Sequence, residues 1–226
     1  MKFLDRVTRE GLPRREYRWA QLLLAVIPGG VLHAFFTVIG LTLKENSPRT
    51  PKTEGNAPLI VLFHWEFPIT LSAQKTWRDQ FRGVGFLGIH NWISYVTSVL
   101  CYLDALPAVR YDRRSGKKPF QQVMEFLRKN PTKAFSLRTD SGGPYNRVRT
   151  SVVTMALESH RPIVCVRQSA DRTWRAWDHY IPKPFAHITT RIADPVLPET
   201  LRALSREDAT AHVQAVMDQL EEKPGE

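Results

Sequence analysis

A chain of 226 residues is long enough for one globular domain with a sizeable core and a short appendage. Hydrophobic residues make up 42% of it and charged residues 24%, which excludes an intrinsically disordered chain and a polytopic membrane protein. The 32 lysines and arginines against 22 acidic residues give a net charge of +10, which favours anionic partners such as phospholipid head groups, carrier phosphates or nucleic acid.

The amino-terminal segment departs most from the average composition. No charged residue occurs from Trp19 to Leu43, while Arg14, Arg15 and Arg18 stand just before it. The sequence Pro28-Gly29-Gly30 is expected to break this stretch into two short helices that dip into one leaflet, with the arginines at the anionic surface. A kinked transmembrane helix and a helical pair packed on the core are the alternatives.

Composition then predicts the domain organisation. Residues 1–46 are interpreted as a basic and apolar membrane-associating helical segment, and residues 47–58, rich in Pro, Thr and Asn, as a linker. Residues 59–226 form the predicted α/β domain. We expect a peripheral or monotopic protein of the cytoplasmic membrane, with the α/β domain on the cytoplasmic side.

Strands and helices alternate from Leu59 onward, which predicts an α/β fold with a mixed, largely parallel sheet flanked by helices. The predicted helices span residues 68–81, 91–105, 119–129, 150–159 and 206–221. The predicted strands span residues 59–63, 82–86, 107–111, 133–137, 162–167 and 187–193. The two cysteines lie in apolar runs without CxxC spacing, which favours buried thiols over a disulfide, and no zinc-ligand spacing occurs.

A histidine stands where the first of these strands ends, in the sequence Phe63-His64-Trp65-Glu66-Phe67-Pro68. Pro68 fits the first turn of the following helix, where its missing N–H has no cost. His64 is therefore expected at the carboxyl edge of the sheet, the usual place for ligands in open α/β folds. A histidine of near-neutral pKa suits the removal of a proton as a general base.

Four segments resemble, in order, the blocks of the glycerolipid acyltransferase superfamily, above all its bacterial lysophospholipid acyltransferase-like branch of formerly unknown function. The four blocks are His64, residues 108–116 (AVRYDRRSG), residues 137–144 (LRTDSGGP) and residues 162–166 (PIVCV). Residues 174–178 (WRAWD) and 181–185 (IPKPF) further resemble the tail of that branch. The resemblance covers residues 59–198.

The resemblance implies an O-acyltransferase of phospholipid biosynthesis, with His64 as general base. It also implies an acid five positions after the histidine, but Ile69 stands there. A carboxylate normally holds such an imidazole in the productive tautomer. Glu66 is the nearest candidate for that role, and a backbone carbonyl or Asp140 are the alternatives.

The resemblance also implies that basic and turn residues hold the substrate. Arginines bind phosphate oxygens in pairs, and the backbone N–H groups of a glycine turn can face an anion. A solvated charged loop is the alternative interpretation of the basic cluster. The residues predicted to bind substrate are Arg110, Arg113, Arg114, Asp140, Gly142, Gly143 and Arg147.

The implied reaction moves a fatty acyl group from acyl-CoA or acyl carrier protein to a lysophospholipid or related lipid hydroxyl. The thioester is a substrate, so no cofactor and no metal are expected, and the expected partners are anionic lipids and the donor. A catalytically inactive lipid-binding protein of the same fold is the alternative. Nucleic-acid binding is disfavoured, since the sequence lacks an aromatic-basic interleaved motif and a helix-turn-helix.

Overall fold

The computed structural model describes residues 19–46, 55–73, 86–88, 108–110, 118–140, 146–176 and 179–221. For residues 19–25, 67, 86–88, 108–110 and 119 it describes the backbone alone. The predicted helix over residues 91–105 lies outside the described residues.

A five-stranded sheet forms the centre of the fold. Its strands are β1 (Lys44–Asn46), β2 (Leu59–Leu62), β5 (Phe135–Arg138), β6 (Ile163–Ala170) and β9 (His187–Ile192). They are arranged in the order β1-β9-β6-β2-β5. Strand β2 runs parallel to both of its neighbours, and β9 is antiparallel to β6 but parallel to β1. The central strand β2 is buried along its whole length, which explains its uninterrupted apolar sequence.

Helices and two short strand pairs complete the described part of the chain. The helices are α1 (Trp19–Thr42), α2 (Phe67–Ser72), α3 (Pro119–Lys129), α4 (Thr150–Ser159), α5 (Pro198–Arg202) and α6 (Arg206–Gln219). Strands β3 (Phe86–Gly88) and β4 (Ala108–Arg110) pair in parallel, and β7 (Thr173–Ala176) and β8 (His179–Pro182) pair antiparallel. The predicted mixed, largely parallel α/β sheet flanked by helices is confirmed.

Helices cover both faces of the sheet. Apolar side chains of α3, α4 and α6, among them Val123, Val153 and Val213, pack with strands β2 and β5 in the main core. On the opposite face, Ile69 of α2 packs against Ile188 of β9. Both faces of β2 are therefore removed from water, and its carboxyl end is the accessible part of the strand.

The expected break in the amino-terminal segment does not occur in the structure, where α1 continues through Pro28. A proline inside a helix removes one hydrogen bond and costs about 3 kcal/mol, but the strong helix formers before it, Ala20 and the leucines at positions 22–24, oppose this cost. Among the residues that the structure describes, no helix combines the length and the apolar character that crossing a membrane requires.

The carboxyl-terminal half of α1 packs on the α/β domain. Phe36 contacts Leu71 of α2, and the Thr42 hydroxyl accepts a hydrogen bond from the Phe185 backbone N–H at 3.1 Å. The chain then enters the sheet as its edge strand β1. The helix is thus fixed to the sheet by packing and by strand pairing.

Gly40 sets the distance between α1 and α2. A Cβ atom at this position would lie 2.2 Å from the Ser72 carbonyl oxygen, whereas one at Gly30 would meet nothing within 4 Å. Gly40→Ala should therefore lower the free energy of unfolding by about 1–3 kcal/mol, because backbone must move. Gly30→Ala should instead raise it by about 0.5–1 kcal/mol through helix propensity. Urea unfolding measures both values, and equal effects of the two substitutions would contradict the close helix contact.

Candidate active site

His64 lies directly beyond the carboxyl end of β2, in a single 3₁₀ turn formed by His64–Glu66. Pro68 occupies the first turn of α2, as predicted. The main-chain N–H of His64 donates to the Asp140 carboxylate at 2.6 Å. Because β2 and β5 are parallel neighbours in register, with Leu62 opposite Arg138, the turns that follow them meet at one edge.

Asp140 ties three parts of this edge together. Its side chain is fully buried, and its second oxygen accepts a hydrogen bond from the Asn146 backbone N–H at 3.0 Å. The carboxylate therefore fixes the position of the His64 main chain relative to the turn after β5. This contact with the His64 backbone was not predicted, while the roles of Asp140 towards the imidazole and the substrate stay predictions.

A second histidine lies beside the first. The ring centroids of His64 and His179 are 4.4 Å apart, with 46° between the ring planes. His179 begins β8, far away in sequence, so spacing along the chain gave no signal of this contact. The hairpin of β7 and β8 thereby forms one wall next to His64.

Glu66 ends the turn that begins at His64 and is fully buried, and its carboxylate accepts two described hydrogen bonds. One oxygen accepts from the Phe63 backbone N–H at 3.1 Å, and the other accepts from the Arg167 Nε at 2.7 Å. The Arg167 guanidinium also lies 4.8 Å from the ring centroid of Phe63 and 5.6 Å from that of Trp65. These contacts fix the turn that carries His64, and the predicted role of Glu66 as the imidazole partner stays a prediction.

Burial raises the pKa of Glu66 to about 7 from the usual 4.5, although the charge of Arg167 opposes this rise. Between those two values the folded protein holds a proton that the unfolded chain releases, so the contribution of Glu66 to stability falls as pH rises. Each pH unit between the two pKa values lowers the free energy of unfolding by about 1.4 kcal/mol.

This shift predicts how stability depends on pH. The free energy of unfolding of the wild type minus that of Glu66→Gln should fall by about 3 kcal/mol as pH rises from 4.5 to 7. This range is the span between the two pKa values. Chemical denaturation across this range measures the difference. Glu207→Gln, at an exposed position of α6, is the control. A difference that stays constant with pH would contradict the raised pKa.

Position 69, where the resemblance implies an acid, belongs to the core. Ile69 is 1% exposed and packs with Ala73 and Ile188. Helix α2 therefore directs an apolar side chain inward at this position.

The predicted substrate-binding residues are only partly described. Arg110 ends β4 opposite Gly88 of β3, and its backbone alone is described. Arg147 is exposed in the segment that leads to α4. The predicted roles of Arg113, Arg114, Gly142 and Gly143 fall on residues outside those that the structure describes.

A cavity of about 380 Å³ adjoins Trp65. Its lining includes apolar side chains, among them Trp65, Ile69 and Leu220. It also includes the charged side chains Arg167, Arg191 and Glu221. No sequence pattern indicated a role for either arginine, because both stand within strands and outside the basic cluster. The register of β6 and β9 places the two arginines opposite each other, and a single sequence does not specify that register.

Metal ligation has no support among the described side chains, since no three or more His, Cys, Asp or Glu residues there could hold an ion together. Cys165 is a free, buried thiol, as predicted, and burial raises its pKa to about 12. A thiol of this kind is inert at neutral pH.

No protein-family model and no curated protein matches the sequence. The fold is similar to the crystal structure of the 1-acyl-sn-glycerophosphate (LPA) acyltransferase PlsC from Thermotoga maritima, with a TM-score of 0.50 and 13% identity. The similarity covers 100% of this chain and 91% of that chain. The two proteins therefore share a fold.

Proposed function

We propose that the protein is a lipid acyltransferase of the glycerolipid acyltransferase superfamily, in its bacterial lysophospholipid acyltransferase-like branch. The observation that carries the proposal is the anchored position of His64 at the carboxyl edge of the sheet, in a fold shared with an LPA acyltransferase. The acyl donor is acyl-CoA or acyl carrier protein, and the acceptor is the hydroxyl of a lysophospholipid or related lipid.

In the proposed reaction, the His64 imidazole removes the proton of the acceptor hydroxyl. The oxygen forms an ester bond to the acyl carbon, the carbon–sulfur bond breaks, and the thiolate takes the proton from the imidazolium. Asp140 acts through the main chain by holding the turn that carries His64. The chemistry needs neither a metal nor a prosthetic group.

Positive charge is proposed to hold the substrate phosphate. The arginines at positions 110, 113, 114 and 147 supply paired donors for phosphate oxygens. Backbone N–H groups of the turn with Gly142 and Gly143 supply further donors.

A protein that acylates a lysophospholipid must bind at a membrane surface, and the exposed apolar face of α1 supports this proposal. The exposed apolar residues Ile27, Val31, Phe35 and Val38 follow one another at spacings of three and four, which places them on one face of the helix. Trp174 of the β7–β8 hairpin stacks on Phe35, with centroids 6.3 Å apart, and extends this face. The net charge of +10 favours anionic lipids, so peripheral binding to the cytoplasmic membrane is proposed.

Val38→Asp should weaken binding to phosphatidylglycerol vesicles about tenfold, because a carboxylate must then enter the interface. Vesicle flotation of the full chain measures the effect. Ala211→Asp, an equal charge change at an exposed position of α6, should bind as the wild type does. Equal loss in both variants would assign the binding to net charge rather than to this face.

The acyl transfer itself is tested with purified protein, a set of lysophospholipids and lipids without a phosphate, and acyl-CoA or acyl carrier protein as donor. Mass spectrometry should detect a new ester in a phosphate-bearing acceptor. Conversion of the phosphate-free lipids at the same rate would contradict the proposed phosphate contacts.

A catalytically inactive lipid-binding protein of the same fold is the second candidate. The buried Ile69, at the position where the resemblance implies an acid, favours it. Stoichiometric binding of lysophospholipid without any ester formed from either donor would establish this candidate.

A further inference from the structure

The imidazole of His179 lies against that of His64, at the edge of the sheet where acyl transfer is proposed. The two ring centroids are 4.4 Å apart, with 46° between the ring planes. At this separation, a rotation about the side-chain bonds brings a nitrogen of one ring within hydrogen-bond reach of the other. Hydrogen bonds between catalytic groups are often long before the substrate binds and shorten during the reaction. His179 is therefore close enough to act on the His64 imidazole.

The two carboxylates next to the His64 turn are held by other groups. Glu66 accepts hydrogen bonds from a backbone N–H at 3.1 Å and from the Arg167 Nε at 2.7 Å, one on each oxygen. Asp140 accepts from the backbone N–H groups of His64 and Asn146 at 2.6 and 3.0 Å, again one on each oxygen. These bonds fix the main chain of the turn. A group that contacts the imidazole ring itself is better placed to orient that ring.

The β7–β8 hairpin fixes the position of His179. His179 and Ile181 lie on the same face of β8, and Ile181 packs against Leu71 of α2. The ring of Tyr180, the residue between them, makes an edge-to-face contact with Trp65, with centroids 6.2 Å apart. These contacts hold β8 against the 3₁₀ turn and the helix that follows it. A side chain on a strand held in this way can orient its neighbour more precisely than one on a loop.

We propose that His179 is a positioning residue that takes the place of a carboxylate partner of His64. A ring nitrogen of neutral His179 accepts the N–H of the His64 imidazole, so the other His64 nitrogen faces the acceptor hydroxyl. When His64 takes the hydroxyl proton, the same hydrogen bond stabilises the imidazolium, as a carboxylate does in acid–histidine pairs. The proton stays on His64 until the thiolate takes it. This inference rests on the proposed acyl transfer, and it gives His64 a partner although Ile69 replaces the implied acid.

Two substitutions of His179 test this role by steady-state kinetics of the full chain with an acyl thioester and a lysophospholipid. His179→Phe keeps a ring but has no acceptor, and it should lower kcat about 10- to 100-fold, the contribution of a hydrogen bond to a charged group. KM should stay unchanged, because His179 acts on the imidazole and not on the substrate. His179→Gln keeps an acceptor oxygen and should retain several times the kcat of His179→Phe.

His212→Phe, the same substitution at an exposed position of α6, is the control and should retain the wild-type rate. A wild-type kcat in His179→Phe would overturn the proposal. So would a kcat of His179→Gln at or below that of His179→Phe, because ring packing rather than an acceptor would then be what matters.

Nitrogen NMR of the imidazoles tests the pair without turnover. The protein has seven histidines, and the His64 signals are those lost in His64→Ala. At about pH 8, where a histidine of ordinary pKa is neutral, the His64 ring should show one tautomer in the wild type and in His179→Gln. In His179→Phe it should show a mixture of both tautomers.

A mixture in the wild type, or equal tautomer populations in the wild type and His179→Phe, would overturn the proposal whether or not the protein forms an ester. A wild-type protein that forms no ester, but whose His64 tautomer depends on His179, would contradict acyl transfer and support the pair. The two proposals therefore fail separately.

Discussion

His64→Ala should lower kcat of acyl transfer by about 100- to 10,000-fold, the range that a positioned general base contributes. The imidazole lies at the edge of the sheet and outside the main hydrophobic core, so its removal leaves that core intact. The free energy of unfolding should change by less than about 1 kcal/mol. Steady-state kinetics with a labelled thioester, together with urea unfolding, measures both quantities.

His212→Ala is the matched control, because His212 is exposed on α6 and away from the sheet edge. It should retain the wild-type rate. A wild-type rate in His64→Ala would show that another group removes the hydroxyl proton, and the neighbouring His179 would be the first residue to substitute next.

Arg161→Met should lower the free energy of unfolding by about 3–5 kcal/mol, the range for breaking a buried charged network. The Arg161 residue is 1% exposed, and its guanidinium donates to the backbone carbonyls of Ala57, Lys133, Leu127 and Asn130 at 2.6–2.9 Å. Burial lowers its pKa, yet the carbonyls at the end of α3 favour the charge. Methionine fills similar space but leaves those carbonyls without the donor.

Arg202→Met provides the control for this effect. Arg202 is about half exposed and lies 3.7 Å from Glu199, so its loss should cost less than about 1 kcal/mol. Urea unfolding measures both variants. A loss below about 1 kcal/mol in Arg161→Met would contradict the view that one guanidinium joins the ends of α3, β2 and β5.

The local sequence pattern predicted the longer helices and strands well. Helices α3 and α4 begin and end where the sequence predicts, at Pro119–Lys129 and Thr150–Ser159, because proline and apolar periodicity define them locally. The β7–β8 hairpin and the edge strand β1 were missed. Their short sequences are only partly buried, so they lack the apolar runs that identify a strand.

The candidate site was predicted in its position but not in its contacts. The place of His64 follows from the strand and proline around it, and the parallel sheet then brings Asp140 to its backbone. The ion pair between Glu66 and Arg167 spans 101 positions of sequence, and nothing local indicates it. Contacts of this kind depend on strand order and register, which a single sequence does not specify.

The most direct test of lipid acyl transfer compares thiol release with ester formation in the same reaction. Purified wild-type protein is mixed with an acyl thioester, with and without a lysophospholipid, and the free thiol and new ester are both counted. The proposed function predicts one thiol for each ester, and no thiol release beyond background without the acceptor. Thiol release that does not depend on the acceptor, or lipid binding without any new ester, would contradict it.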